Sequence, residues 1–178
     1  QVDGLKTSAY LLDTAKEHIE GKITIGEAQN RIQSYYQEHN NRIEIENNTK
    51  EADIVSARIT QLLGEKTFQF SPAELMNIHR RLFDGVFKSA GKFRDYNITK
   101  NEWVLNGEIV IYASWNSLQE TLDYDFKTEK AFSYEGLSLV EAIKHLAKFT
   151  SDIWQIHPFG EGNTRATAVF IIKYMRTF

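Results

Sequence analysis

The sequence contains no cysteine, which excludes disulfide bonds, thiol chemistry and cysteine-based metal sites. It also lacks any apolar run near the roughly 18 residues that a membrane-spanning helix needs, so no membrane partner is expected. Basic residues are not in excess, because 21 Lys and Arg are scattered among 24 Asp and Glu. Nucleic acid is therefore not expected as the main partner. Together these absences favour a cytoplasmic protein.

The residues that are present suit one soluble domain with a small appendage. The chain has 178 residues, of which 42% are hydrophobic and 25% charged, and this is enough to bury a core. It has neither internal repeats nor a low-complexity tract. The sequence begins with Gln1 instead of Met and stops at Phe178 inside an apolar helical pattern. We therefore expect further residues beyond both ends.

The N-terminal residues have the pattern of a helical hairpin. Apolar residues recur at helical spacing until Glu20-Gly21, where a glycine ends the segment. A second amphipathic segment covers about residues 24–38, so residues 1–40 are predicted to form two short helices. A polar, asparagine-rich stretch follows, and we predict a linker at residues 41–50. The main domain is then expected at residues 51–178.

The main domain is predicted to be mostly α-helical with one small β-hairpin. Serine followed three positions later by glutamate, the signal of a capping box, occurs at Ser71, Ser117 and Ser138. The predicted helices cover residues 51–63, 72–88, 117–127 and 139–154. The hairpin is predicted at residues 102–112, where β-branched and aromatic residues flank Asn106-Gly107.

The segment "HPFGEGNTR", residues 157–165, combines residues that suit chemistry better than packing. Two glycines and a proline weaken regular structure, and the polar residues resist burial. Its second half lies at the predicted start of a helix, where unpaired backbone N–H groups and the helix dipole attract anions. Gly160, Gly162 and Asn163 would let a phosphate approach closely, and Arg165 would add a fork of donors.

Two further side chains of this segment suit the transfer of a phosphate-linked group. Glu161 offers a carboxylate of the kind that Mg²⁺ takes beside phosphates and water. His157 would be the general base for a hydroxyl, because histidine titrates near neutrality. The alternatives are a capping histidine, a first-turn glutamate, turn glycines and a surface arginine. A zinc site is disfavoured, because the intervening proline and glycine interrupt a shared helical face and no third ligand is near.

The segment resembles the signature of the Fic (Fido) domain, HxFx(D/E)GN(G/K)Rxx(R). The matching residues are His157, Phe159, Glu161, Gly162, Asn163 and Arg165. Residues 78–98, "IHRRLFDGVFKSAGKFRDYNI", are similar to the helix and "AGxxR" segment that precede the β-hairpin flap of this family, and "VLNGEIVIYAS" resembles the flap. The resemblance covers about residues 50–178 and implies a Fic-type helical bundle.

The resemblance implies transfer of AMP from ATP to a Ser, Thr or Tyr hydroxyl of a target protein, with pyrophosphate leaving. It implies that His157 is the base, Glu161 the Mg²⁺ ligand and Phe159 the anchor of the loop in the core. The expected phosphate and nucleotide contacts are Gly160, Gly162, Asn163, Thr164 and Arg165. The flap, about residues 101–113, would dock the target by strand addition. The candidates for clamping the target side chain, which ordinary hairpin packing would explain equally well, are Val104, Ile109 and Ile111.

The sequence departs from the family signature in two places. Ala168 stands where the family often has a second arginine, and Thr164 precedes the first arginine. In the family, the second arginine holds the outer phosphates of ATP and pairs with a glutamate of an inhibitory motif, (S/T)xxxE(G/N). A degenerate form of that motif is present at Ser56, Thr60 and Gln61. We therefore predict that this protein lacks the arginine–glutamate lock.

Two sets of alternatives are open at the level of sequence. The N-terminal hairpin is similar to the small helical antitoxins that accompany some Fic toxins, and a plain stabilising cap explains it as well. A toxin–antitoxin role, an oligomer and an antitoxin-like self-contact are therefore all compatible with it. For the main domain, the alternatives to AMP transfer are phosphate transfer to a protein hydroxyl, as in the relative Doc, and a non-catalytic binding module that uses the flap.

Overall fold

The computed structural model describes residues 5–38, 44–101 and 109–178. The helices of these ranges are α1 (Ala9–Ile19), α2 (Ile25–Glu38), α3 (Glu44–Gly64), α4 (Pro72–Phe83), α5 (Leu118–Ala131), α6 (Leu139–Ile156) and α7 (Asn163–Met175). Two short antiparallel strands, β1 (Thr99–Asn101) and β2 (Ile109–Ile111), complete the fold together with a 3₁₀ turn at Trp115–Ser117. The prediction of a mostly helical fold with one small hairpin is confirmed, and the Asn106-Gly107 turn lies outside the described residues.

The chain divides into two compact units, Gln1–Lys66 and Thr67–Phe178. Helix α3 begins at Glu44, inside the stretch that we predicted as a linker at residues 41–50, so residues 44–50 are a correction to that prediction. Polar composition favours a linker locally, but α3 is a helix from Glu44 onwards and packs against α2 through later residues such as Asp53 and Gln61. None of the helices in the described ranges is both long and apolar enough to cross a bilayer.

A buried carboxylate holds the N-terminal unit together. Asp53 of α3 is fully buried and accepts hydrogen bonds from the Ser8 backbone N–H at 2.9 Å, from the Ser8 hydroxyl and from the Tyr36 hydroxyl at 2.7 Å. Ser8 is also the N-cap of α1, where its hydroxyl oxygen accepts from the Leu11 N–H. The three helices therefore converge on one satisfied polar group beside an apolar cluster that includes Leu11 and Ile32.

The helix starts of the second unit follow the predicted caps in two cases out of three. Ser71 and Ser138 accept from the backbone three residues on, and Ser138 forms a complete capping box with Glu141. The Ser117 hydroxyl instead donates to the Ser114 carbonyl inside the 3₁₀ turn, so the capping box predicted there does not form. Helix α4 ends at Phe83 and not near residue 88, because Asp84 leaves the helical conformation with a ψ of 127° and Gly85 then turns the chain with a left-handed φ of 72°.

Helix α7 lies in the core of the second unit and packs against α4 and α6. Its apolar face joins an aromatic cluster whose members are Phe70, Phe126, Phe149, Phe170 and Tyr174. Beside the cluster, buried Glu129 accepts from the Tyr134 hydroxyl at 2.6 Å and the Tyr174 hydroxyl at 2.8 Å, and pairs with His145 at 2.6 Å. These contacts join α5, α6 and the C-terminal half of α7, so α7 is anchored in the core of the second unit.

Candidate active site

The loop between α6 and α7 begins with a histidine in an unusual conformation. His157 has φ 51° and ψ 62°, which makes it the one non-glycine residue with a positive φ in the described ranges. Its backbone N–H donates to the Ile153 carbonyl at 3.2 Å and so closes the C-terminal end of α6. Glycine is the usual residue at such a position, because a Cβ makes the left-handed conformation costly. A strained, buried histidine at this point favours a functional role for its side chain.

Arg94 holds the backbone around His157. The Arg94 side chain is 4% exposed, and its Nε donates to the His157 carbonyl at 2.8 Å and its Nη2 to the Ile156 carbonyl at 3.2 Å. The Arg94 backbone N–H adds a bond of 2.9 Å to the Pro158 carbonyl. The remaining guanidinium bonds go to the carbonyls of Tyr96 and Ala113, on either side of the strand pair.

Tyr112 holds the imidazole of His157. The two rings stack with their centroids 4.2 Å apart and 28° between their planes. Tyr112 directly follows β2, so the end of the hairpin lies against the candidate base. Neither Tyr112 nor Arg94 was assigned a role from the sequence. For Arg94 the sequence offers one signal of a role, the "AGxxR" resemblance. Tyr112 is not distinguished in the sequence from the other aromatic residues of the predicted hairpin.

Phe159 anchors the next part of the loop. It is completely buried, and its ring stacks on His79 of α4 at a centroid distance of 3.8 Å. Its backbone N–H donates to Asn163 Oδ1 at 2.9 Å, and Asn163 Nδ2 donates to its carbonyl at 2.7 Å. The Asn163 amide, which we expected to contact phosphate, is therefore engaged in closing the loop. What remains to Asn163 for an anion is its backbone N–H at the start of α7.

His79 is a neutral link between two segments of the site. Its Nδ1 accepts from the Gly91 N–H at 2.9 Å, so the proton is on Nε2, which donates to the Glu161 carbonyl at 3.0 Å. Burial lowers the pKa of His79 to about 4; the bond to Glu161 opposes this change and the positive charge of Arg165 adds to it. At neutral pH His79 is uncharged, and it joins the "AGxxR" segment to the loop.

Two glycines give the loop its close contacts. Gly162 has φ 75°, and a Cβ built on it would lie 2.5 Å from Cε2 of Phe83. Arg165 contacts the same ring, since its guanidinium carbon lies 4.7 Å from the Phe83 centroid. A Cβ on Gly160 would lie 2.6 Å from the Tyr96 hydroxyl. The glycine at residue 162 is thus required by both conformation and space.

The loop ends at an open helix N-terminus. Gly162 is the N-cap of α7 and offers no side chain, while its carbonyl accepts from the Ala166 N–H at 3.1 Å. The first N–H groups of the helix, those of Asn163, Thr164 and Arg165, have no acceptor within the helix. Four of the predicted phosphate contacts, Gly162, Asn163, Thr164 and Arg165, therefore lie at one helix end, where the dipole favours an anion. Gly160 lies in the loop two residues before the N-cap.

Glu161 is the candidate metal ligand, and its environment fits Mg²⁺ carried by a nucleotide. Its side chain is exposed, while its backbone carbonyl is held by His79. The described residues contain no group of three or more His, Cys, Asp or Glu that could form an all-protein metal site. A single accessible carboxylate beside a candidate anion site is compatible with Mg²⁺, which binds one or two carboxylates and fills its shell with phosphate and water oxygens.

The flap candidates are only partly described. Val104 lies outside the described residues. The backbone of Ile109 pairs with Asn101, and Ile111 pairs with Thr99 and exposes 75% of its surface. Below β2, Tyr112 and Ile156 help to line an open pocket of about 380 Å³ that also includes Asp125, Lys148 and Asp152. Burial and the charge of Asp152 raise the pKa of Asp125, and Lys148 opposes this rise.

The degenerate inhibitory motif is engaged within its own unit. Gln61 accepts a hydrogen bond from Nε2 of Gln29 at 2.8 Å, and the Thr60 hydroxyl donates to the Ser56 carbonyl at 3.1 Å. In the second unit, Ala168 is exposed on α7. The two residue types that would form an arginine–glutamate pair are thus replaced by an exposed methyl group and by side chains whose partners lie in the N-terminal unit.

Comparison with known proteins identifies the family. The Fic/DOC family model matches residues 69–175, more than half of the sequence. The chain therefore belongs to the Fic/DOC family. No curated protein matches the sequence.

Solved structures of Fic domains share the fold. The N-terminal Fic domain of a VirB-translocated Bep effector protein from Bartonella quintana has a TM-score of 0.57 and 24% identity, covering 75% of this chain and 67% of its own. BepC from Bartonella tribocorum, solved with bound AMPPNP, has a TM-score of 0.56 and 24% identity, covering 73% and 69%. The Fic domain of Bep8 from Bartonella sp. 1-1C has a TM-score of 0.57 and 23% identity, covering 78% and 69%.

Proposed function

We propose that this protein transfers AMP from Mg²⁺-bound ATP to a hydroxyl side chain of a target protein. The loop at residues 157–162 carries the proposal, because it begins at a buried histidine and ends at an open helix N-terminus. A base and an anion site at the two ends of one pinned turn suit the transfer of a phosphate-linked group to a hydroxyl. Membership of the Fic/DOC family and the AMPPNP bound by BepC support a nucleoside triphosphate as donor.

In the proposed reaction, the target hydroxyl oxygen attacks the α-phosphorus of ATP. His157 accepts the hydroxyl proton as the new phosphorus–oxygen bond forms, and the bond from the α-phosphorus to the bridging oxygen of the β-phosphate breaks. Pyrophosphate leaves with that oxygen. The N–H groups at the start of α7 and the Arg165 guanidinium stabilise the charge on the phosphate oxygens.

Glu161 would hold Mg²⁺ beside the phosphates, where the ion supplies charge neutralisation for the departing pyrophosphate. The backbone of Glu161 is fixed by the neutral His79, so its carboxylate starts from a defined position on the loop. The side chain itself is exposed, which leaves it accessible to a metal–nucleotide complex arriving from solvent.

The target would dock as an additional strand beside β2. The pair of β1 and β2 is small, and a two-stranded sheet has open edges that an extended peptide can join through backbone hydrogen bonds. Tyr112 directly follows β2 and stacks on His157, so a peptide registered on this strand would be carried towards the base. The exposed Ile111 is available to contact a target side chain.

Phosphate transfer is the second candidate, and one observation favours it. Ala168 is exposed and offers no charge where the family often has an arginine for the outer phosphates. The triphosphate is therefore less constrained at that face of α7, and a reversed nucleotide would bring its γ-phosphorus to the hydroxyl. In that case the bond to the β–γ bridging oxygen breaks and ADP leaves.

Isotope position distinguishes the two reactions. The purified protein is incubated with Mg²⁺ and ATP labelled on the α- or the γ-phosphate, alone and with a cell extract, and the modified proteins are analysed by intact mass. The α-label together with the added mass of an adenylyl group supports AMP transfer. The γ-label with the mass of a phosphoryl group supports the second candidate. No incorporation of either label contradicts both reactions and favours a binding module.

His157→Ala is expected to abolish incorporation, since the proton of the attacking hydroxyl then has no acceptor in the loop. His18→Ala is the matched control, because His18 lies in the N-terminal unit and contacts the Ile23 carbonyl at 3.0 Å. Incorporation that persists in His157→Ala removes the proposed base from the mechanism. Melting temperatures of both variants show that the comparison is made on folded protein.

A further inference from the structure

We propose that Arg94 is the positioning residue of this site: one buried guanidinium sets the conformation of His157 and ties to it the two chain segments that enter and leave the strand pair. The predicted effect on catalysis rests on the proposed function. The positioning role itself is inferred from five hydrogen bonds made by Arg94, four from the side chain and one from the backbone.

The first part of the argument concerns the backbone at His157. The carbonyls of Ile156 and His157 belong to the two peptide planes that flank the His157 Cα, and Arg94 donates to both. The relative orientation of these planes defines φ and ψ of His157, and with them the direction of its Cβ. Arg94 also binds the Pro158 carbonyl through its backbone N–H, which fixes the following plane. The left-handed conformation is therefore held from outside the loop.

The second part concerns the flap segment. Nη1 of Arg94 donates to the Tyr96 carbonyl at 2.6 Å, shortly before β1, and Nη2 donates to the Ala113 carbonyl, shortly after β2. The same guanidinium thus contacts the chain where it enters and leaves the strand pair. Because a docked target takes its register from this pair, the separation between its hydroxyl and the imidazole depends on Arg94.

The chemistry of the site requires an arginine. Its side-chain partners are all backbone carbonyls, and two of them lie at the C-terminal end of α6, where the helix dipole is negative. This arrangement satisfies a cation that is 4% exposed. A planar fork with five donors can reach carbonyls from three segments at once, whereas a lysine ammonium is a point charge with three donors.

The test compares Arg94→Lys with a matched control, Arg31→Lys, in the chain of 178 residues. Arg31 is an arginine of α2 that is about half exposed and forms a 2.7 Å pair with Glu17. In Arg94→Lys we expect kcat to fall by about 100-fold, because a displacement of the order of 1 Å has this effect on a positioned reaction. We expect the Kd for the Mg²⁺ complex of a non-hydrolysable ATP analogue to change less than about threefold. The reason is that the hydrogen bonds of Arg94 go to carbonyls outside α7.

Nuclear magnetic resonance separates this inference from the proposed function. The imidazole resonances of His157 are expected to move in Arg94→Lys and to stay in place in Arg31→Lys, whether or not any transfer occurs. Unchanged His157 resonances in folded Arg94→Lys overturn the inference. A kcat close to that of the wild type, or a parallel loss of kcat and nucleotide affinity, overturns it as well. If the wild type transfers no group but the resonances move, the proposed function fails and the positioning role stands.

The wild-type protein provides a measurement that does not depend on the folding of a variant. The Nε–H of Arg94 donates to the His157 carbonyl at 2.8 Å from a buried position. Its proton is expected to exchange slowly with solvent, and the resonance is expected to show a coupling across the hydrogen bond to the His157 carbonyl carbon. Rapid exchange without that coupling contradicts the inference.

Discussion

The substitution Gly162→Ala tests how the phosphate end of the loop is built. Gly162 has φ 75°, and its Cβ would lie 2.5 Å and 2.6 Å from two carbons of the Phe83 ring. The left-handed conformation costs an alanine about 1–2 kcal/mol relative to glycine. Forcing a methyl group against a buried ring adds about 1–3 kcal/mol. We therefore expect Gly162→Ala to lower the free energy of unfolding by about 2–5 kcal/mol.

Gly85→Ala is the matched control for this prediction. Gly85 has a φ of 72°, almost the same as Gly162, but its Cβ would meet no atom within 4 Å. It therefore carries the conformational cost alone, about 1–2 kcal/mol. Urea unfolding followed by tryptophan fluorescence reports on the correct unit, because Trp103, Trp115 and Trp154 all belong to Thr67–Phe178.

Nucleotide affinity and a double-mutant comparison complete the test of Gly162→Ala. Arg165 lies on the same Phe83 ring, so displacement of that ring is expected to weaken binding of the Mg²⁺–ATP analogue, whereas Gly85→Ala is expected to leave it unchanged. In a Phe83→Leu background the added methyl group is expected to cost less than in the wild type, because the two sites are in contact. Equal destabilisation by Gly162→Ala and Gly85→Ala refutes the reasoning about Phe83.

Two other predictions follow from His79 and Ala168. The pKa of His79 lies near 4 in the folded chain and near 6.5 in an unfolded one, so its contribution of about 3 kcal/mol is present above pH 6.5 and lost as the pH falls from 6.5 through 4. The slope of unfolding free energy against pH in this window should decrease in His79→Gln, and an unchanged slope contradicts the assignment. Ala168→Arg should leave stability within about 0.5 kcal/mol of the wild type, because the position is exposed, and should tighten binding of the Mg²⁺–ATP analogue. Unchanged affinity indicates that the outer phosphates do not reach this face of α7. Ala168→Gln is the control for a long side chain without the positive charge.

Much of the helical framework could be predicted because its signals are local. Ser71 and Ser138 begin helices through bonds to residues three positions along the chain, and this spacing is visible in the sequence. The end of α4 is not visible in this way, because amphipathic spacing continues past Phe83 while Asp84 and Gly85 turn the chain. The asparagines of residues 41–50 favour a linker locally, whereas α3 begins at Glu44.

The candidate site also has a part that could be predicted from the sequence and a part that could not. The residue types of the loop from His157 to Arg165 indicated a base, a carboxylate and an anion site, since these depend on side-chain chemistry and on the start of one helix. The role of Asn163 could not be predicted, because an asparagine that binds phosphate and one that closes a loop have the same sequence signal. In the structure both polar atoms of its amide bond to Phe159.

The sequence by itself determined most of the helix starts and the set of residue types on which the proposed chemistry of the loop depends, because both involve residues within a few positions of one another. Only the tertiary structure decided which distant residues hold that loop. Arg94 reaches His157 across 63 positions, and His79 reaches Glu161 across 82. A buried arginine that binds carbonyls and a neutral histidine between two backbone groups leave no periodic pattern, since their partners are main-chain atoms that every residue possesses.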